Sequence, residues 1–203
     1  MKKIITTLLF ILASLSVEAA NNKIYVGASY LNGSGDTTLV LGPGYVWGST
    51  GTATKVKSFD LTGFGIKLGA IYESNDRLEI SYTLIDETFV DGINDKSSLD
   101  IDYLFTFSSD DEVIPYFSIG IGSYKSTNPG ADFVVTNADE KARGTSINYG
   151  LGIIYSLENE LEIELAYRVK NMTGDELIVS PTTVEPSIEA SVLHFSLNYK
   201  YMK

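Results

Sequence analysis

The 203-residue chain contains no cysteine. That excludes a disulfide framework, a thiolate metal site and a lipidated N-terminal cysteine. It has no basic surplus either: 15 Lys and Arg stand against 26 Asp and Glu, for a formal net charge of −11. An acidic chain without a basic stripe repels phosphate, which sets nucleic acid aside as a partner. Beyond the first twenty residues no uncharged apolar run approaches the ~20 residues that a spanning helix requires. Any insertion into a bilayer must therefore use strands.

Residues 1–19 read as a cleavable secretory signal. Lys2 and Lys3 form the charged start, an apolar run follows from Ile4 to Leu15, and Val17-Glu18-Ala19 places small residues before cleavage after Ala19. Removing the segment takes away Lys2, Lys3 and Glu18, a net +1, and leaves −12 on residues 20–203. That remainder has the length of one domain. Its aromatic residues favour Tyr, with 13 against nine Phe and one Trp. A ring that is apolar at one end and wants water at the other suits a water–hydrocarbon boundary.

The positive signal is alternation. Leu161-Glu162-Ile163-Glu164-Leu165-Ala166-Tyr167-Arg168-Val169 switches between apolar and charged or small residues at every step. A period of two is a β-strand whose faces meet different surroundings. About ten residues is what a tilted strand needs to cross the hydrocarbon of a bilayer. Eight such strands are predicted, at 23–31, 60–73, 77–86, 98–107, 113–124, 144–156, 160–170 and 188–201. Tight polar turns at 73–76, 108–112 and 157–159 alternate with long connections at 32–59, 87–97, 125–143 and 171–187. Short turns on one rim and long loops on the other describe an all-β, eight-stranded antiparallel up-and-down transmembrane barrel. An even strand count puts both ends on the short-turn rim, facing the periplasm.

One face of the strands is aliphatic and aromatic, with Ile80, Phe105 and Leu165 as examples. The other mixes glycines (Gly63, Gly65, Gly69, Gly120, Gly122, Gly150, Gly152) with Lys67, Glu79, Asp100, Asp102, Glu162, Glu164, Arg168, His194 and Lys200. Glycines are wanted where side chains crowd an eight-stranded axis. Their place on the charged face directs the charges inward and the apolar side chains to lipid, the reverse of a soluble lipocalin-type barrel.

The five inward acids (Glu79, Asp100, Asp102, Glu162, Glu164) face three fixed cations (Lys67, Arg168, Lys200). Unpaired charges in a narrow lumen are very costly, so the reading is a buried ion network. Arg168 is its expected centre, because a guanidinium fork satisfies two carboxylates. The acid excess requires protonated carboxyls, or water and a cation. His194, Ser196 and Glu189 share one strand, so a hydrolase trio is conceivable by residue type; a lumen histidine in the network is the preferred reading. No catalytic, metal or cofactor site is predicted. In the long connections, Leu39, Val40, Leu41, Tyr45, Val46 and Trp47 are candidate contact residues, with smaller apolar clusters at Phe133-Val134-Val135 and Leu177-Ile178-Val179. The preferred reading is that the hairpins continue beyond the membrane and cap the lumen.

Three segments carry a family resemblance. Ile24-Tyr25-Val26-Gly27-Ala28-Ser29-Tyr30 resembles the first strand of small outer-membrane barrels. Pro115-Tyr116-Phe117-Ser118-Ile119-Gly120-Ile121-Gly122 is similar to their recurrent central strand. Leu193-His194-Phe195-Ser196-Leu197-Asn198-Tyr199-Lys200-Tyr201 resembles their C-terminal assembly signal, departing from it in the added Met202-Lys203. The likeness is to barrels of the OmpA, OmpX and opacity-protein type. It implies a monomeric, non-enzymatic scaffold in the bacterial outer membrane that displays extracellular loops for adhesion, surface interaction or envelope integrity. The partners it implies are outer-membrane lipid and lipopolysaccharide, the barrel assembly machinery and an extracellular ligand or host surface. No peptidoglycan-binding domain is expected after the barrel. A narrow cation-preferring pore is the second reading, from the acidic lumen. A lipid-modifying hydrolase is the third. The deacylase branch of the family carries His-x-Ser on its penultimate strand, where this chain reads Tyr167-Arg168-Val169-Lys170.

Overall fold

The computed structural model describes residues 23–41, 53–90, 92–107, 112–126, 143–157, 160–174, 177–179 and 182–201. The predicted signal at 1–19 lies outside them, as do Tyr45, Val46, Trp47 and Phe133-Val134-Val135. The described residues form nine strands: β1 Lys23–Leu41, β2 Ala53–Ile71, β3 Arg77–Phe89, β4 Gly92–Thr106, β5 Val113–Ser126, β6 Arg143–Ser156, β7 Leu161–Gly174, β8 Leu177–Val179 and β9 Thr182–Tyr201. Neighbours pair antiparallel in chain order, and β1 pairs with β9 to close the ring. The three-residue β8 pairs with β9 and prolongs the β7–β9 hairpin, so the closed barrel has eight staves. No helix among the described residues is long and apolar enough to cross a membrane; the strands do so instead.

The short-turn rim is tied down locally. Tyr72 N–H donates to the Asp76 carbonyl at 2.9 Å and Asn75 N–H to the Tyr72 carbonyl at 2.9 Å, with Asn75 at φ 69°. Asn tolerates this left-handed conformation better than most side chains. The Asp76 carboxylate also accepts from Thr106 N–H at 2.9 Å, joining the first turn to the end of β4.

The faces divide as the glycine argument requires. Phe105 is 44% and Leu165 49% exposed, whereas Glu79 is 1% and Asp102 2% exposed. The outward belt runs from Ile24, Leu78 and Tyr201 at the short-turn rim to Tyr30, Phe64, Leu84, Leu193 and Ile147 at its upper edge. Four or five outward positions per strand, at about 3.3 Å per residue and a tilt of about 40°, span roughly the 25 Å of a barrel's apolar band.

The strands are longer than predicted, and the reason is physical. Above the belt the two faces exchange character. On β9 the outward Tyr199, Leu197, Phe195 and Leu193 give way to Ser191, Glu189 and Ser187. The inward Asn198, Ser196 and His194 give way to Val192, Ala190 and Ile188. On β2, Phe64 gives way to Thr62 and Asp60 outside, while Gly63 gives way to Leu61 and Phe59 inside. Once a strand leaves lipid its outer face meets water, and its inner face becomes an ordinary apolar core. Residues 32–41, 53–59, 87–89, 92–97 and 182–187, read as loop from sequence, belong to strands that continue above the belt, where β4 keeps polar inner residues in Asn94 and Lys96. The exchange is deepest on one side: β1, β2 and β9 are 19, 19 and 20 residues long, against 14 each for β5, β6 and β7. A tall wall of β9, β1 and β2 therefore rises above the belt.

Candidate functional site

The lumen is layered. Near the short-turn rim Leu104, Ile114, Tyr116, Ile154 and Ala166 form an apolar floor. Beside it Arg77 grips Glu162 with both terminal nitrogens, at 2.6 and 3.0 Å, and Lys200 adds a contact to the same carboxylate at 3.1 Å. At mid-height Glu164 is the hub. It is ion-paired to Lys67 and accepts from Arg168 at 3.0 Å, Tyr116 at 2.5 Å and Ser196 at 3.0 Å. Lys67 also reaches Glu79 at 2.9 Å, and the Tyr25 hydroxyl donates to that carboxylate at 2.5 Å. Arg168 lies 3.4 Å from both Glu79 and Asp102, so one guanidinium spans three acids on three strands.

Higher up, Lys170 pairs with Asp100 at 2.7 Å, with Ser98 and Asn148 donating to the same carboxylate. Lys96 pairs with Glu87 at 2.6 Å and lies 5.4 Å from the centre of the Tyr124 ring. Packed against this pair is an apolar cluster of Phe59, Leu61, Ile85, Phe89, Tyr124, Met172, Ile188, Ala190 and Val192.

The acid excess expected from sequence is overturned. In the ion-paired lumen network of the described residues six carboxylates (Glu79, Glu87, Asp100, Asp102, Glu162, Glu164) meet six cations (Lys67, Arg77, Lys96, Arg168, Lys170, Lys200), and half-buried Lys57 adds a further cation on the inner face of β2. Every carboxylate has a cationic nitrogen within 3.4 Å. Arg77, Lys170 and the Lys96–Glu87 pair are the missed members. Arg77 and Lys170 share the parity of Glu79 and Arg168 and were legible from it. Lys96 and Glu87 fell in a segment taken as loop. The balance leaves the surplus of negative charge outside the lumen.

The hydrolase trio does not assemble. Glu189 is on the outer face, five residues from His194 and of opposite parity. The acid beside His194 is Glu164, 3.5 Å from Nδ1, and the Ser196 hydroxyl donates to Glu164. Both His194 and Ser196 are buried inside the barrel. Of the loop candidates, Leu39 is a buried lumen residue at the top of β1, Val40 faces outward, and Leu41 ends the strand. Leu177-Ile178-Val179 is strand β8.

The chain belongs to the family described as outer membrane protein beta-barrel domain, which it matches over residues 5–201. It is therefore a small β-barrel of the bacterial outer membrane. Among curated proteins it is 27% identical over 180 residues to uncharacterized protein YaiT of Salmonella typhimurium, and 26% identical to putative uncharacterized protein YaiT of Escherichia coli K12. Each alignment covers 78% of this chain, and the chain spans only 17% and 18% of those relatives. Among solved structures it is similar to Neisserial surface protein A (13% identity, TM-score 0.59), covering 88% of this chain and 97% of that one. OprG of Pseudomonas aeruginosa follows at 16% identity and TM-score 0.54, covering 91% and 97%. The outer membrane enzyme PagL matches at 13% identity and TM-score 0.51, covering 84% and 97%. At these identities the likeness concerns the fold alone.

Proposed function

We propose that this chain is a non-enzymatic, non-conducting outer-membrane scaffold whose wall of β9, β1 and β2 presents a polar, acidic surface for contact outside the cell. The observation that carries the reading is the lumen: a network of paired charges packed against two apolar clusters. A pore needs a continuous polar path and sites that an ion can leave. Here the inward charges are already spent on one another, and packed apolar side chains fill the lumen beside them. A hydrolase acting on membrane lipid needs its nucleophile at the surface, and Ser196 is enclosed.

The contact surface is the upper wall. Its outward side chains include Ser34, Asp36, Thr38, Ser58, Asp60, Ser187, Glu189 and Ser191. Asp36 sits directly across from Glu189 in the β1–β9 register. Such a surface fits hydroxyl-bearing or cationic partners and disfavours polyanions. Outer-membrane lipid, lipopolysaccharide and the assembly machinery remain the partners proposed for the barrel itself, which would act as a monomer.

Planar-bilayer recording tests the core of the reading. The purified barrel is expected to be electrically silent; stable unitary steps that shift with cation type would restore the pore. His194→Ala is expected to leave cellular lipid A and phospholipid profiles unchanged, and an altered profile would restore the hydrolase.

A further inference from the structure

Two cations stand face to face on the outside of the barrel. Lys125 lies directly across from Arg143 in the β5–β6 register, and both share the parity of the outward Ile121 and Ile147. Ser156 N–H donates to the Glu112 carbonyl at 2.9 Å, which sets the phase of this ladder and makes Lys125 and Arg143 a non-hydrogen-bonded pair. Such partners have Cα atoms only about 4.5 Å apart, with their side chains close together. Like charges placed this way repel. Neither side chain is ion-paired among the described residues, whereas Lys96, Lys170 and Lys200 of the lumen each reach a carboxylate. The surroundings supply hydroxyls. Ser97 faces Lys125 from β4, and one step nearer the membrane Ser123 faces Thr145. One step further down Ile121 lies across from Ile147, 66% and 57% exposed. Asp95, the outward acid of β4, stands one step higher than Ser97 and faces Asp86.

We propose that Lys125 and Arg143 clamp a phosphate monoester on the headgroup of an outer-leaflet glycolipid, with Ser97, Ser123 and Thr145 as supporting donors. A phosphate between the two cations replaces their repulsion by two charge-assisted contacts, and the guanidinium fork matches a pair of phosphate oxygens. The height of the pair selects a lipid over free phosphate. Four residues at about 3.3 Å each and a tilt of about 40° put it roughly 10 Å above Ile121 and Ile147. The headgroup layer occupies about 5–8 Å above the hydrocarbon, and both side chains are long enough to bend down into it. A lipid whose acyl chains lie along Ile121 and Ile147 therefore carries its phosphate to the pair. Fixed protein cations hold that phosphate without a bridging divalent metal. The site rests on the reading of the barrel as lying in outer-membrane lipid, and adds to it one bound lipid at one position on the circumference, away from the acidic wall of Asp36 and Glu189.

The test is native mass spectrometry of the full mature chain in detergent, titrated with bisphosphorylated lipid A, with the fully dephosphorylated glycolipid and with inorganic phosphate, each with and without EDTA. One lipid A is expected to bind and to survive EDTA, and the dephosphorylated form to bind about tenfold more weakly. Lys125→Gln with Arg143→Gln is expected to lose about the same factor, while Asp36→Asn with Glu189→Gln on the tall wall leaves binding unchanged. If the first double variant lacks heat-dependent gel mobility, Lys125→Gln alone is expected to weaken binding in the same direction. Full retention by the cation variants would overturn the site, as would equal binding of the dephosphorylated lipid. Loss in EDTA would mark a metal bridge, and inorganic phosphate binding as tightly as lipid A would mark a soluble ligand; either overturns the proposal. A folded barrel that ignores the phosphate sinks the site and leaves the outer-membrane reading standing. Failure to insert into bilayers of outer-membrane lipid would sink both.

Discussion

Tyr25 lies directly across from Gly69 in the β1–β2 register, and its ring fills the space that a Cβ on Gly69 would need. The same pairing recurs around the lumen. Asp102 lies over Gly120, Asp100 over Gly122, Tyr116 over Gly152, and Arg168 over Gly150. Each large inward side chain takes its room from a glycine on the next stave. Gly69→Ala is therefore expected to destabilise the barrel by about 1–3 kcal/mol through overpacking. Urea unfolding in detergent micelles reads the loss. Combining it with Tyr25→Ala should cost less than the sum of the two single changes, since the clash is then gone; strict additivity would contradict the packing described.

Arg77 and Glu162 make the two-pronged contact of the lower lumen. Glu162→Gln leaves a buried guanidinium short of a counter-charge, for an expected loss of about 3–5 kcal/mol. Replacing the whole cluster, as Arg77→Met and Glu162→Leu with Lys200→Met, is expected to recover most of that, because no member is left without its counter-charge. Matched denaturation curves for the single and triple variants decide the matter.

The boundary between lipid and water can be located by lysine. Leu165 is the middle outward residue of β7, and Leu165→Lys is expected to cost about 2–4 kcal/mol. Ser187 sits on the upper wall of β9, where the outer face has turned polar, and Ser187→Lys is expected to cost about 0–1 kcal/mol. Equal penalties at the two sites would move the apolar band from where the exchange of faces puts it.

The proposed surface contact is expected to be separable from the barrel. Replacing residues 42–52, which connect β1 to β2, by a short Gly-Ser linker is expected to preserve heat-dependent gel mobility. The same change is expected to lower binding of expressing cells to a host-cell or matrix layer. Unchanged binding would remove that connection from the contact surface.

The membrane-spanning half of the molecule was legible because lipid imposes one simple rule on it. Ile163, Leu165 and Tyr167 alternate with Glu162, Glu164 and Ala166, and the side that carries the glycines has to be the crowded one. The upper half was hidden because the rule reverses. In Leu31-Asn32-Gly33-Ser34-Gly35-Asp36-Thr37 the outer residues are polar and the inner ones small, so neither face advertises a strand. The charge balance was missed for the same reason. Once Glu87 and Lys96 are strand residues, parity alone turns both inward beside Asn94 and Ser98.

The tall wall contains the seam. Val40 pairs with Glu185, and Asp36 with Glu189, only after the last stave has met the first. A half-inserted intermediate lacks that composite relief, even when every other hairpin is in place. An antibody raised against the β1–β9 crest would thus report completed insertion, and could distinguish finished molecules on a cell from stalled ones.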